Sequence, residues 1–170
     1  MAIAHDGTAT HRGSGFVFQK QIAELPLRGL TVYGPSDASA YYTLRGGVNG
    51  DAWVTFYVYP ATISLADEDA GVEQAILERL AGHQIDPPAR AVTTLSDGRV
   101  GWFEGTYQNI QAKTGYILVQ RGGWFLKARF TIPDGGGSEA MDRALRALAA
   151  LQWDWVPPSG TAGGAKVAVR

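Results

Sequence analysis

The segment at residues 52–59, which ends at Pro60, constrains the fold of this chain more than any other. Successive side chains of a β-strand point to opposite faces of the sheet. Alternation therefore divides this segment into one face with Val54, Phe56 and Val58 and another with Trp53, Thr55, Tyr57 and Tyr59. Because both faces are apolar or aromatic, we expect this strand to be central in a sheet or to be covered on both sides.

Other segments also have the alternation and the residue types of strands. They lie at residues 16–18, 30–33, 41–45, 91–95, 99–107, 115–121 and 124–132. Turn signals stand between several of them: Asn49-Gly50, Ser96-Asp97-Gly98 and Gly122-Gly123. In the last strand, Trp124, Leu126, Ala128, Phe130 and Ile132 share one face, and Lys127, Arg129 and Thr131 share the other with Phe125. This pattern predicts antiparallel hairpins, and a last strand with one side in contact with water.

Two segments change to helical spacing. In residues 68–81, Val72, Ile76 and Leu80 stand four apart, the acids at 67–69 suit a helix start, and Gly82 suits a helix end. A second helix is predicted at residues 139–152, with Ser138 as its N-cap. Its apolar positions are Met141, Leu145, Leu148 and Leu151. Trp153 and Trp155 follow this helix, and we expect them to close the core.

A chain of 170 residues fits one domain. The order of elements predicts an α+β fold, with a mainly antiparallel sheet of six to eight strands flanked by two main helices. We assign this domain to residues 14–156. Small and polar residues at 1–13 predict a flexible lead-in, and the Pro- and Gly-rich composition of 157–170 predicts a flexible tail.

The order of elements resembles the PsbP/Mog1-like folds, in which an antiparallel sheet lies between helices. The resemblance rests on the aromatic strand at 53–60 with its following helix, and on the strand at 124–133 with the closing helix. It covers about residues 15–155 and is a likeness of architecture without a diagnostic motif. Members of that group are mostly accessory or binding proteins, so the resemblance implies a non-catalytic role.

Composition excludes several classes of function. The formal net charge of -1 gives no basic field for nucleic acid, so we expect no nucleic-acid partner. The absence of cysteine removes thiolate catalysis, disulfides and cysteine-ligated metals. No apolar run reaches the length of a membrane span, so no integral membrane segment is predicted. The printed N-terminus has no signal peptide, which favours a cytoplasmic location; a removed leader would instead indicate a periplasmic or secreted protein.

No catalytic or cofactor motif is present, and we expect no cofactor and no bound metal. The histidines are His5, His11 and His83; the first two lie in the predicted lead-in, and His83 fits a favourable position near a helix C-terminus. Ser14 lacks the spacing of a nucleophile elbow. The glycines at 135–137 precede a helix but stand between acids, which favours a loop over an anion site. The acids at 67–69 fit a solvated helix start better than a calcium site.

The candidate binding residues lie on the predicted strand faces. They are Arg45, Trp53, Tyr57, Tyr59, Glu104, Lys127 and Arg129. We expect the rings at 53, 57 and 59 either to pack under the first helix or to form a patch for a protein partner or for a second copy of the chain. If the charged residues converge among tyrosines, they would line a site for a small ligand. Glu104 is expected to point the same way as Trp102 and Thr106.

These observations favour a non-catalytic binding or accessory protein that uses an aromatic-rich sheet face. Two alternatives stay open. One is a small enzyme that uses Glu104, Lys127 and Arg129. The other is a homo-oligomeric structural module formed by edge pairing of the hairpins.

Overall fold

The computed structural model describes residues 1–3, 7–44, 51–92 and 97–158. Near the start of the chain, three short antiparallel strands form a small sheet: β1 (Ala2–Ile3), β2 (Ala9–Thr10) and β3 (Val17–Phe18). Ala9 and His11 are buried. The segment predicted to be a flexible lead-in therefore includes two strands and contributes to the core.

The main sheet has eight strands, and all neighbouring strands in it are antiparallel. In chain order they are β4 (Gln21–Ile22), β5 (Leu25–Gly34), β6 (Asp37–Thr43), β7 (Trp53–Pro60), β8 (Ala81–Gln84), β9 (Arg99–Tyr107), β10 (Ile110–Arg121) and β11 (Trp124–Pro133). Their order in space is β4-β5-β6-β7-β11-β10-β9-β8. The strand predicted to be central, β7, lies fourth of the eight, and the hairpin of β10 and β11 forms as predicted.

Two helices of 13 residues lie on opposite faces of this sheet: α1 (Leu65–Leu77) and α3 (Gly137–Ala149). We call the two sides the α1 face and the α3 face. A third helix, α2 (Ala89–Val92), has one turn only. The structure is therefore an α+β fold with an antiparallel sheet and two main helices, as predicted.

The α3 face carries the larger core. Val54, Phe56 and Val58 of β7 are buried there, and Phe56 contacts the rings of Phe16 and Trp153. The predicted apolar stripe of α3 is only partly buried at Met141 and Leu145. The helix meets the sheet instead through Ala140, Ala144 and Ala147. Small side chains at these positions allow the helix backbone to approach the sheet closely. These alanines therefore form part of the contact that was predicted for Met141 and Leu145.

The bounds of α1 differ from the prediction at both ends. The helix begins earlier because Ser64 caps it, accepting a hydrogen bond from the Asp67 amide at 3.1 Å. It ends at Leu77, and residues 81–84 form the edge strand β8 rather than the last helical turn. A Cβ at Gly82 would lie 2.0 Å from the Glu104 carbonyl oxygen. This glycine therefore permits the close approach of β8 to β9 and does not end the helix.

Two further predictions of local structure are wrong. Residues 91–95 were expected to form a strand, but Ala91 lies in α2, where its amide hydrogen-bonds the Pro88 carbonyl; residues 93–95 lie outside the described part. Prolines directly before a run of helix formers favour such a turn. Ser138 is not an N-cap, because α3 begins at Gly137 after a 3₁₀ turn at Asp134–Gly136 that replaces the expected loop. The turn at Asn49-Gly50 and the tail from residue 159 also lie outside the described residues.

Candidate functional site

The α1 face is only partly covered by its helix. Val72, Ile76 and Leu80 pack over a cluster on β9, β10 and β11 that contains Phe103, Tyr116, Leu118 and Phe125. Tyr59 and Tyr107 lie at the margin of this cluster and are partly buried. Among the described residues, Trp53 and Tyr57 of β7 do not belong to the cluster under α1. On the α3 face, by contrast, the same strand is fully buried.

The uncovered part forms a surface that we call the open aromatic surface: Trp53, Thr55, Tyr57, Tyr107 and Arg129. Cross-strand register brings these residues together, because Arg129 pairs with Thr55 and Thr131 with Trp53. All five side chains are half-buried. The ring centroids of Trp53 and Tyr107 are 6.5 Å apart, and the Arg129 guanidinium lies 5.9 Å from the Tyr107 centroid. The result is a patch of half-buried rings with a cation among them.

Lys127 lies between this surface and α1. Its Nζ is 5.3 Å from the Tyr57 centroid, 4.8 Å from the Tyr59 centroid and 3.4 Å from Glu68 Oε1. The Tyr59 hydroxyl donates to the same carboxylate oxygen at 2.5 Å. The charge of Lys127 is therefore balanced inside the protein, and its contact with two rings adds to that stabilisation.

Poor hydration of this region shifts three ionisation equilibria. Burial lowers the pKa of Lys127, and the neighbouring Glu68 carboxylate opposes that change. Burial also raises the pKa of Tyr57. At the start of β6, burial raises the pKa of Asp37, while the positive charge of Lys127 acts in the opposite direction. Each shift disfavours the charged form, as expected where water has limited access.

Arg129 differs from Lys127 in having no acidic neighbour. Among the described residues, it makes no hydrogen bond and no ion pair, and its contact is with the Tyr107 ring. A guanidinium carries five donors in a planar fork that matches a carboxylate. Arg129 is therefore the group on this surface with unused capacity to bind an anion.

The structure brings together five of the seven candidate binding residues. Trp53, Tyr57, Tyr59, Lys127 and Arg129 share the α1 face of neighbouring strands. Arg45 lies outside the described residues. The expectation that the rings at 53, 57 and 59 either pack under the helix or form a patch has a divided outcome. Tyr59 packs beside α1, whereas Trp53 and Tyr57 belong to the open aromatic surface.

Glu104 lies on the opposite side of the sheet. It pairs with Lys113, which pairs with Ile132 on the α3 face. Its side chain approaches His83 Nε2 at 3.4 Å, at the edge where a cleft of about 330 Å³ is open to solvent. Glu104 therefore does not converge with Lys127 and Arg129. His83 lies in β8 rather than at a helix C-terminus, and it pairs across the strand with Glu104.

His11 is the other histidine that the structure describes. It is buried, with Nδ1 2.8 Å from the Ser14 hydroxyl and its ring edge against Trp124. Burial, together with the positive Met1 amino group, lowers the pKa of His11. The Ser14 hydroxyl also accepts from the Phe16 amide. Ser14 is itself fully buried. This pair consequently holds a loop in place and does not present a nucleophile.

The acids at the start of α1 were interpreted as a solvated helix end, and two of them have structural partners. Glu68 accepts from Tyr59 and pairs with Lys127. Asp69 accepts from the Tyr116 hydroxyl at 2.6 Å and lies 3.8 Å from Arg99. Among the described residues, no group of three or more potential ligands could hold a metal ion.

Sequence reasoning missed Tyr107, which links Trp53 to Arg129. Tyr107 is the last residue of β9. The alternation of side chains within β9 does not show which of its two faces is on the same side of the sheet as Trp53 of β7. The position of Tyr107 could be inferred only from its pairing with Ile110, which sets the register of the β9–β10 hairpin.

Comparisons of the chain with protein-family models, with curated proteins and with solved structures returned no match. The PsbP/Mog1-like resemblance thus stays a prediction. Within the described ranges, the helices are too short and too polar to cross a bilayer.

Proposed function

We propose that this protein is a non-catalytic binding or accessory module that docks a partner protein on its open aromatic surface. The observation that carries the proposal is the asymmetry of β7: one face is buried beneath α3, while Trp53 and Tyr57 on the other lie beyond the reach of α1. Large rings that stay only half-buried on an otherwise packed sheet are typical of an interaction site.

Composition favours a protein over other occupants. Tryptophan, tyrosine and arginine are the residues that most often dominate the binding energy of protein interfaces. Their rings contribute large contact areas and lose little conformational entropy when they become ordered. The surface offers all three types within one cross-strand patch of β7, β9 and β11. The architectural resemblance to a group of accessory proteins points in the same direction.

Charge indicates the chemistry of the partner. Lys127 is already paired with Glu68, whereas Arg129 has no acidic neighbour in the described structure. A partner that places a carboxylate over Arg129 and apolar side chains over Trp53 and Tyr57 would satisfy both kinds of group. We therefore infer an acidic, partly apolar patch on the partner.

The test first measures whether variants of surface residues capture a partner protein. The affinity of each variant for the captured partner is then determined by titration. Trp53→Ala and Arg129→Ala should each weaken binding by about tenfold or more, as for residues at the centre of an interface. Ile63→Ala is the matched control, because Ile63 is 49% exposed and lies away from this surface. Circular dichroism checks that each variant is folded. Equal affinity of all three variants for the partner would contradict the proposal.

The alternative of a small enzyme has less support. This enzyme would use Glu104, Lys127 and Arg129. These residues lie on two faces of the sheet and share no site. A small ligand on the open aromatic surface stays an alternative occupant. Such a ligand would be detected by NMR if a metabolite that carries a carboxylate shifted the indole resonance of Trp53.

A further inference from the structure

The outer edge of β5 is nearly unpaired. Its neighbour β4 has two residues and pairs only with Leu25 and Pro26. One more backbone bond follows, from the Leu27 amide to the Lys20 carbonyl at 2.8 Å. From Arg28 to Gly34, no residue of the described structure hydrogen-bonds the backbone on that side. A row of free amides and carbonyls of this length is a template for another strand.

Only the ends of this edge carry the usual features that prevent pairing. Natural sheets protect their edges with charges, prolines, bulges or very short strands. Between Arg28 and Asp37 the chain carries no charge, and the Arg28 guanidinium is turned back onto the Thr43 and Leu44 carbonyls. Irregularities in register occur only between Leu27 and Gly29 and between Val32 and Gly34. The run Gly29–Val32 is consequently regular, and Val32 and Tyr33 beside it are 52% and 60% exposed.

We propose that β5 pairs with β5 of a second copy of this chain, antiparallel and with the two-fold axis at Thr31. In that register Thr31 lies opposite Thr31 of the partner subunit, and Leu30 lies opposite Val32 of the partner subunit. Threonine pairs are favourable across strands, and Leu30 opposite Val32 brings two apolar side chains into contact.

Charge and continuity favour a second copy over a foreign strand. The register places no like charges opposite each other, and the net charge of -1 gives two copies little mutual repulsion. A two-fold interface is also self-complementary by necessity, and the uncharged run of Leu30, Thr31 and Val32 can pair with itself without placing charges opposite each other. Pairing would join the two sheets edge to edge and place both open aromatic surfaces on the same side of one continuous sheet.

The test is sedimentation equilibrium of the purified chain from micromolar to near-millimolar concentration. The wild type should approach twice the chain mass. Thr31→Lys and Thr31→Glu should each return one chain mass, because each places like charges opposite at the axis. An equimolar mixture of the two variants should restore the dimer. Ile63→Lys adds the same charge at an exposed position away from β5 and should dimerise as the wild type does.

Three results would overturn the proposal. A wild type that stays at one chain mass at every concentration has no such dimer. Variants at Thr31 that dimerise normally place the contact elsewhere. Two monomeric variants that fail to associate when mixed exclude a two-fold axis at Thr31. Circular dichroism should show all variants folded, since Thr31 is exposed.

Discussion

Three tyrosine hydroxyls should account for a large part of the response of this protein to alkaline pH. Tyr42 donates to the Gln19 carbonyl, Tyr59 to Glu68 and Tyr116 to Asp69. Burial raises the pKa of all three, and the carboxylate acceptors raise those of Tyr59 and Tyr116 further. The first bond fixes the segment before β4 to the sheet, and the other two fix α1. Ionisation of these three hydroxyls should therefore weaken the attachment of the segment before β4 and of α1 to the sheet.

The sign follows from proton binding. With the pKa raised in the folded state, the folded protein holds these protons above pH ~10, where the unfolded chain releases them. Stability is thus fully present below about pH 10 and falls as the pH rises above it. At about pH 11, each such tyrosine costs about 1.4 kcal/mol, so three cost about 4 kcal/mol. That is a large part of the ~5–15 kcal/mol typical of a domain.

The assay is urea unfolding followed by tryptophan fluorescence at about pH 9 and about pH 11, for the wild type and for Tyr→Phe variants. Replacing Tyr42, Tyr59 and Tyr116 together should remove about 4 kcal/mol of the pH-dependent loss. The lowered pKa of Lys127 acts with the opposite sign, but it is common to both proteins and largely cancels in the comparison. The reasoning is refuted if the triple variant keeps the full loss, or if all seven tyrosines ionise near pH 10 while the protein is folded.

Three further predictions test the packing. Phe56→Ala should lower the free energy of unfolding by about 3–5 kcal/mol, whereas Trp53→Ala on the other face of the same strand should cost clearly less, as measured by urea unfolding. Because burial lowers the pKa of His11, stability should fall as the pH drops below about 6.5, and His11→Gln should abolish this part of the acid loss in thermal melts. Gly115→Ala should lower the melting temperature, since its Cβ would lie 2.3 Å from the Gly101 carbonyl oxygen, while Gly71→Ala in open space on α1 should raise stability by about 0.5–1 kcal/mol.

Local patterns predicted two of the long strands well, because alternation is a property of each strand alone. The prediction for residues 99–107 matches β9, and that for 124–132 misses one residue of β11. Helix ends were less predictable, because Gly82 has the same local signal whether it ends a helix or allows two strands to approach. Only the contact with the Glu104 carbonyl distinguishes these roles.

The candidate site was predictable only within each strand. Alternation correctly places Glu104 with Trp102 and Lys127 with Arg129. Whether those two sets share a side of the sheet depends on the register of two intervening pairings, through Lys113 and Ile132. That register is set by tertiary packing, which no local pattern encodes. The sequence alone therefore could not decide whether Glu104 lies on the same side of the sheet as Lys127 and Arg129.

The position of α1 explains why a surface stays open. Its first turns are held over β10 and β11 by Tyr116 bonded to Asp69 and by Tyr59 and Lys127 bonded to Glu68. These contacts hold the start of the helix beside Tyr59, at one end of β7, whereas Trp53 lies at the other end of that strand and Arg129 pairs with Thr55 near it. The acids at the helix start therefore have a structural consequence beyond the favourable field of a helix N-terminus. By holding α1 beside Tyr59, they leave Trp53, Tyr57 and Arg129 only half-buried.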